Sequence, residues 1–290
     1  MFIYFLIQFC RKITLNIYIM NLLNKFIKKN KLYCIIVLFI FTFGICVLYN
    51  IFFRRIPHYE NMHNNRRIVV TMTTIPERIT KKTILKTLDS LFEQTILPDI
   101  IYINVPIKTL NNEEYPLDML KNMTKKYENI VINVVEKDLG PITKIIPTLS
   151  FIEPSDYVFL VDDDVKYKPY MIEQLINTNE NAVGYAGRSR MDFKDSSFFS
   201  GPVDFLETFA GVMYRGELLI GLDEYANNLG TTCQKQDDIV IGKFLHTKQI
   251  TPIVGKSLQQ SGDHDAESTT ELRTKNLEGE NKNCYEKMFT

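Results

Sequence analysis

From residue 67 onward, apolar and polar positions alternate in blocks that switch between two periods. RIVVTMTT (67–74), IIYINVPI (100–107), IVINVVE (130–136), YVFLVDD (157–163) and AVGYAGR (182–188) are short and largely apolar, and predict strands. Between them lie ITKKTILKTLDSLFEQT (79–95), PLDMLKNMTKKYE (116–128), PITKIIPTLSFI (141–152) and KPYMIEQLINTNE (168–180). The first of these puts Ile84, Leu85, Leu88, Leu91 and Phe92 on one helical stripe. Pro116 opens the second, and Pro147 is expected to kink the third. Continuous apolar strands alternating with helices predict an α/β fold with a mostly parallel sheet covered on both faces. Past residue 190 the alternation weakens. TFAGVMYRGELL (208–219) reads as a strand running into a helix, and QDDIVIGKFLHTKQ (236–249) as a helix with acids in its first turn.

One block obeys neither period. The run from Leu32 to Phe53 is uncharged and mostly apolar, bracketed by Lys31 and by Arg54 and Arg55. About 20 such residues span a bilayer as a helix. The run is too long, and its far end too bulky, for a cleaved signal. Lys25, Lys28, Lys29 and Lys31 precede it, with Arg11 and Lys12 further back, and this bias favours a cytoplasmic N-terminus. The expected organisation is a cytoplasmic tail (1–31), a transmembrane helix (32–53), a stem (54–66) and one domain (67–290). Met20 is an alternative start.

Composition adds exclusions. The chain has 290 residues, with 34 Lys+Arg against 34 Asp+Glu, and shows no basic arm with interleaved aromatics. Nothing in that balance points to nucleic acid. No CxxC or Cys/His spacing suggests structural zinc. Cys233 and Cys284, which fall in the soluble part, are open to either reading, a disulfide in an oxidising lumen or two free thiols. Asn122-Met-Thr is a single glycosylation sequon.

The candidate chemistry lies where the strands end. In a parallel α/β sheet, ligands bind beyond the carboxyl ends of the strands. Thr73–Arg78 follows the first strand, Asp138–Lys144 the third, and Asp162–Asp164 the fourth. Residues two apart on a strand share a side, so Asp162 and Asp164 are expected to converge while Asp163 points elsewhere. Two converging carboxylates suit a hard divalent cation such as Mg2+ or Mn2+; a solvated acidic turn is the plainer alternative.

FLVDDDV (159–165) resembles the DxD element of nucleotide-sugar glycosyltransferases of the GT-A fold. VTMTTIPERI (70–79) is similar to the first-strand element of a family-2-like group frequent in large DNA viruses and algae. DLGPITKIIPTL (138–149) resembles that group's element after the third strand, and DDIVIGKFL (237–245) its late acidic helix. The resemblance covers about residues 67–265. It implies a GT-A-type domain that transfers a sugar, with inversion, from a nucleotide-sugar to a glycan or glycoprotein acceptor. It implies Mn2+ or Mg2+ held by Asp162, Asp164 and a late His, with His264 preferred to His246. Thr73, Thr74, Arg78, Asp138, Lys144 and Asp162 would contact the nucleotide or its diphosphate, and Asp238, or its neighbour Asp237, would be the base. Each has a plainer account: Lys144 as a surface lysine, Thr73, Thr74 and Arg78 as a capped turn, the two acids as helix capping. Phe209, Ala210 and Gly211 resemble the stretch beside the acceptor, and core packing explains Phe209 equally well. The group's acid after the second strand is missing from INVPIK, so the nucleotide stays unspecified.

With the membrane span, the expectation is a single-pass type II membrane protein. Its catalytic domain would lie in a Golgi- or ER-like lumen, or on a viral or host membrane. Two rivals belong to other classes. One is a haloacid-dehalogenase-like Mg2+-dependent phosphatase, against which Lys166 stands where Thr or Val is usual and the cluster falls on the fourth strand. The other is a non-catalytic, membrane-anchored nucleotide- or glycan-binding protein.

Overall fold

The structure is a computed structural model and describes residues 66–189, 200–230, 233, 235–255, the backbone of 262–264, and 279–289. The expected transmembrane run lies outside these residues. Among the described residues, no helix is long and apolar enough to cross a membrane.

The apolar strand blocks build a mixed sheet of eight strands among the described residues, in the order β3-β2-β1-β4-β10-β6-β11-β8. β1 (Ile68–Thr73), β2 (Ile100–Pro106), β3 (Ile130–Val135) and β4 (Tyr157–Leu160) pair in parallel. β10 (Val212–Arg215) runs antiparallel to β4 and to β6 (Ala182–Gly184), and β11 (Ile253–Val254) returns to the common direction. The carboxyl ends of β1–β4 therefore share one edge, and β10 begins at that same edge. β8 (Gly201–Pro202) closes the order antiparallel to β11. Among the described residues, four short strands lie outside the sheet: β5 (Val165–Tyr167), paired to β12 (Gly262–His264), and β7 (Gly187–Arg188), paired to β9 (Phe205–Leu206).

Both faces are covered. On one, α2 (Ile84–Phe92), α3 (Leu117–Thr124) and α4 (Met171–Asn177) pack Leu88, Leu91, Leu120, Ile172 and Leu175 against Val70, Met72, Ile103 and Phe159. On the other, α5 (Leu222–Leu229) and α6 (Asp237–Thr247) pack Leu222, Ile241 and Leu245 against Val158, Leu160 and Tyr214. α6 comes close enough that a Cβ on Gly242 would sit 2.4 Å from Phe205 Cβ, so only glycine fits there. α7 (Glu280–Phe289) lies over α6, tied by a Cys233–Cys284 disulfide and by Tyr285, whose hydroxyl donates to Asp204 at 2.6 Å.

The structure breaks four elements that periodicity alone would run together. The 79–95 stripe is two helices, α1 (Pro76–Thr80) and α2, parted by Lys82 at a left-handed φ of 60°. The 141–152 segment is two 3-10 turns, Gly140–Lys144 and Ile146–Phe151. Pro141 and Pro147 each sit at the start of a turn, where a missing N–H costs nothing, so neither kinks a longer helix. AVGYAGR divides into β6 and β7. β4 stops at Leu160, which leaves Asp162–Asp164 in the loop before β5. The two-residue alternation of a strand therefore does not govern these aspartates.

Beneath the 3-10 turns lies a polar knot in an apolar sheet. Asn104 Nδ2 donates to Lys144 O at 2.9 Å and lies 2.7 Å from Thr148 Oγ1. Thr71 Oγ1 donates to the same carbonyl and lies 2.8 Å from Thr148 Oγ1. All three side chains are buried. The bonds seat the backbone of Lys144 on β1 and β2, and so fix where its side chain starts.

Candidate functional site

Two cations organise the carboxylates at the shared edge. Arg78, on α1, donates to Asp163 Oδ1 through Nη1 and to Asp164 Oδ2 through Nη2 at 2.7 Å. Lys144 donates to Asp162 Oδ1 at 2.6 Å and to Thr208 Oγ1 at 2.8 Å, and its Nζ lies 2.9 Å from Asp237 Oδ2. Asp238 Oδ1 accepts the Thr208 N–H at 3.1 Å. Segments more than 150 residues apart in sequence thus meet in one network, carrying Arg78, Lys144, Asp162–Asp164 and Asp237–Asp238.

Among the described residues, the network holds five carboxylates and two cations. Asp163 is buried, and burial pushes its carboxyl up to about 6 in spite of Arg78. Burial and then Asp237 push Asp238 well above the usual carboxylate range, in spite of Lys144. Burial opposes the charge on Lys144, but Asp162, Asp237 and Asp238 overturn that and hold it well above its ordinary range. The lysine therefore stays an ammonium, held by acids on two sides. A proton on Asp163 or Asp238, or a bound cation, lowers the repulsion among these acids.

The donor set bears on which. Asp162 and Asp164 keep 30% and 17% of their side-chain surface exposed, against 4% for Asp163. The backbone of β12 (Gly262–His264) pairs with β5 in a register that sets His264 opposite Val165, next to Asp164. Among the described residues, no group of three or more His, Cys, Asp or Glu is arranged to hold a metal ion by itself. Asp162 and Asp164 thus stand at an accessible rim, the first paired to Lys144 and the second to Arg78.

The remaining expected residues take supporting places. Thr73 Oγ1 donates to Asn104 O at 2.8 Å, and Thr74 is buried with its carbonyl accepting Tyr115 OH at 3.1 Å. Both Asp138 oxygens accept backbone N–H groups, Oδ1 from Gly140 at 2.8 Å and Oδ2 from Leu110 at 2.9 Å. No direct bond joins Asp138 to the two-cation network among the described residues. His246 Nε2 lies 3.6 Å from Asp204 and packs edge-on against Phe289, with no carboxylate of the rim at hand. Phe209, Ala210 and Gly211 form the turn and exit of the Thr208–Ala210 3-10 segment.

Three positioning residues escaped the sequence reading. Thr208 joins Lys144 to Asp238. Tyr167 is fully buried; its hydroxyl accepts the Asp162 N–H at 2.9 Å and donates to Phe209 O at 3.1 Å. Asn104 seats Lys144. Only Asn104 had a signal, an amide inside an apolar strand.

No family model matches the sequence, and no curated protein matches it. Solved structures similar to this chain include 2-C-methyl-D-erythritol 4-phosphate cytidylyltransferase from Francisella tularensis (TM-score 0.44, 15% identity), with 75% of this chain and 100% of that chain covered. TarS from S. aureus is similar at TM-score 0.46 and 13% identity, over 68% of this chain and 59% of that one. The mannosyltransferase PcManGT from Pyrobaculum calidifontis, in complex with GDP-Man and Mn2+, is similar at TM-score 0.47 and 16% identity, over 77% and 65%. The chain spans less than two thirds of the latter two.

Proposed function

We propose that this chain is a GT-A-type glycosyltransferase that moves a sugar from a nucleotide-sugar donor to a glycan or glycoprotein acceptor, with inversion. The observation that carries the reading is the meeting of Asp162, Asp164 and Asp238 with the Lys144 and Arg78 cations at the carboxyl edge of the parallel strands. Asp162 and Asp164, with His264, would hold Mn2+ or Mg2+, which when bound neutralises charge on the leaving nucleoside diphosphate. Lys144 presents a permanent positive charge beside Asp162 and serves the same diphosphate. Thr73, Thr74 and Arg78 line the approach from β1, and Asp138 shapes the neighbouring loop. Asp238 takes the proton of the acceptor hydroxyl. Its raised affinity for a proton suits a general base, and the Thr208 N–H fixes its orientation.

The same proposal anchors the domain. Residues 32–53 would cross the membrane, 1–31 would stay cytoplasmic, and 54–66 would form a stem leading to the domain at 67–290 on the lumenal side. The Cys233–Cys284 disulfide supports an oxidising compartment. Anchoring raises the effective concentration of a membrane-held acceptor.

The test is donor use by the purified chain in detergent, across UDP-, GDP- and CMP-sugars, with and without Mn2+. Metal-dependent release of the nucleotide, lost in Asp164→Ala, supports the proposal. Metal-dependent hydrolysis of an aryl phosphate that Asp162→Asn abolishes would instead make the protein a phosphatase. Metal-dependent nucleotide binding with no turnover on any donor would make it a binding protein.

A further inference from the structure

The turn Thr208–Ala210 links three parts of the site that the proposed transfer uses, at Lys144, at Asp238 and, through Tyr167, at Asp162. Thr208 is 2% exposed and faces both halves at once. Its hydroxyl accepts a hydrogen bond from the Lys144 ammonium at 2.8 Å, and its backbone N–H donates to Asp238 Oδ1 at 3.1 Å. One residue later, Phe209 O accepts from the Tyr167 hydroxyl at 3.1 Å, and that hydroxyl in turn accepts the Asp162 N–H at 2.9 Å. The turn therefore reads the metal loop through Tyr167, the diphosphate lysine through Thr208 Oγ1, and the base through Thr208 N.

Its own place is set independently of these bonds. It runs into β10, whose Val212 pairs with Leu160 at the end of β4, two residues before Asp162. Between them Gly211 adopts φ 87°, a left-handed conformation that turns the chain sharply into the strand. A Cβ on Gly211 would meet Met171 at 3.3 Å, so the turn is pressed against α4 as well.

We propose that Thr208 is a positioning residue for transfer, its hydroxyl fixing where the Lys144 ammonium sits relative to the Asp238 carboxylate. Lys144 has carboxylates on two sides, Asp162 and Asp237. An ammonium with only charged partners is drawn towards the closer one. The neutral Thr208 oxygen supplies a third bond and holds the ammonium between them. Losing it lets Lys144 settle against a carboxylate and withdraw from the donor phosphates. Displacements of about 1 Å at such a group cost up to about a hundredfold in rate.

The inference rests on the glycosyltransferase reading, and Thr208→Val and Thr208→Ser test it in the full chain. Valine keeps the shape and the backbone N–H but removes the hydroxyl; serine keeps the hydroxyl. With donor and Mn2+, Thr208→Val is expected to raise KM for the donor and lower kcat/KM about 10- to 100-fold, the range for a lost hydrogen bond to a charged group. KM for the acceptor is expected to stay unchanged, and Thr208→Ser to recover to within about threefold of wild type. A valine variant with wild-type constants, or a serine variant no better than valine, overturns the proposal.

A second readout needs neither metal nor donor. The Lys144 ammonium, identified as the NMR signal missing in Lys144→Met, is expected to exchange slowly with solvent in wild type and in Thr208→Ser, and faster in Thr208→Val. Equal exchange in all three overturns the proposal. Should wild type transfer no sugar at all, the glycosyltransferase reading fails while this second readout still decides the role of Thr208.

Discussion

The Lys144 ammonium lies 2.6 Å from Asp162 Oδ1, so the loop after β3 and the loop after β4 close on the same ion pair. The lysine is buried, and its carbonyl is pinned to β1 and β2 through Thr71 and Asn104. Its charge belongs to the architecture of the sheet edge. A buried ammonium surrounded by acids is costly to remove, because the acids remain.

Lys144→Met is therefore expected to destabilise the domain by about 3–5 kcal/mol, the range for breaking a buried pair from one side. Urea unfolding of the variant against wild type measures it. A loss under about 1 kcal/mol would show that Asp162 and Asp237 do not depend on this lysine.

Asp238→Asn keeps the shape and an oxygen acceptor for the Thr208 N–H, but cannot take a proton. Its kcat is expected to fall about 100- to 10,000-fold with donor affinity unchanged, as for removal of a general base. Steady-state kinetics with donor and acceptor varied separately checks this. If donor binding collapses together with kcat, Asp238 belongs to the donor site instead.

Asp163 sets a pH dependence in the metal-free protein. Burial raises its carboxyl to about 6 in the folded chain, above the ordinary carboxylate value. A raised acid binds its proton more tightly when folded, so its contribution is fully present at low pH and is lost as pH climbs from about 4 to about 6. Asp163→Asn removes that loss. The variant is expected to gain on wild type across this window by on the order of 3 kcal/mol. Thermal melts at closely spaced pH values, in chelator, measure the difference. A constant offset between the two curves would show that Asp163 does not titrate there.

The Cys233–Cys284 disulfide closes a loop of about 50 residues and ties α7 to the segment that enters α6 at Asp237. Chain entropy assigns such a loop about 4 kcal/mol. Cys284→Ser is expected to lower the urea midpoint accordingly, with α7 becoming protease-sensitive before the sheet. Simultaneous loss of both would show that α7 and the sheet unfold as one unit.

How much of this could be read from the chain differs by level. The parallel strands were legible because β1, β2 and β4 are apolar runs buried on both faces and β3, at the edge, keeps the same apolar composition; their order of occurrence already put Arg78, Lys144 and Asp162–Asp164 at strand ends. The pairings among them were not legible. Asp163, expected to point away, shares Arg78 with Asp164, because β4 ends at Leu160 and the trio follows loop geometry. Asp138 looked equally placed for chemistry, yet two backbone N–H groups occupy its oxygens. Thr208 and Tyr167 carry no local signal, since their importance comes from contacts 64 and 42 residues away in sequence. Cys233 and Cys284 left a choice between thiols and a bridge that only the packing of α7 on α6 decides.

The most direct measurement is a calorimetric titration of Mn2+ into the full chain in detergent, alone and with each of UDP, GDP, CDP and ADP. The account predicts weak binding of the metal alone, at least tenfold tighter binding with one nucleoside diphosphate, and loss of both in Asp162→Asn combined with Asp164→Asn. Mn2+ affinity that no nucleotide changes, or that survives in the double variant, would contradict it.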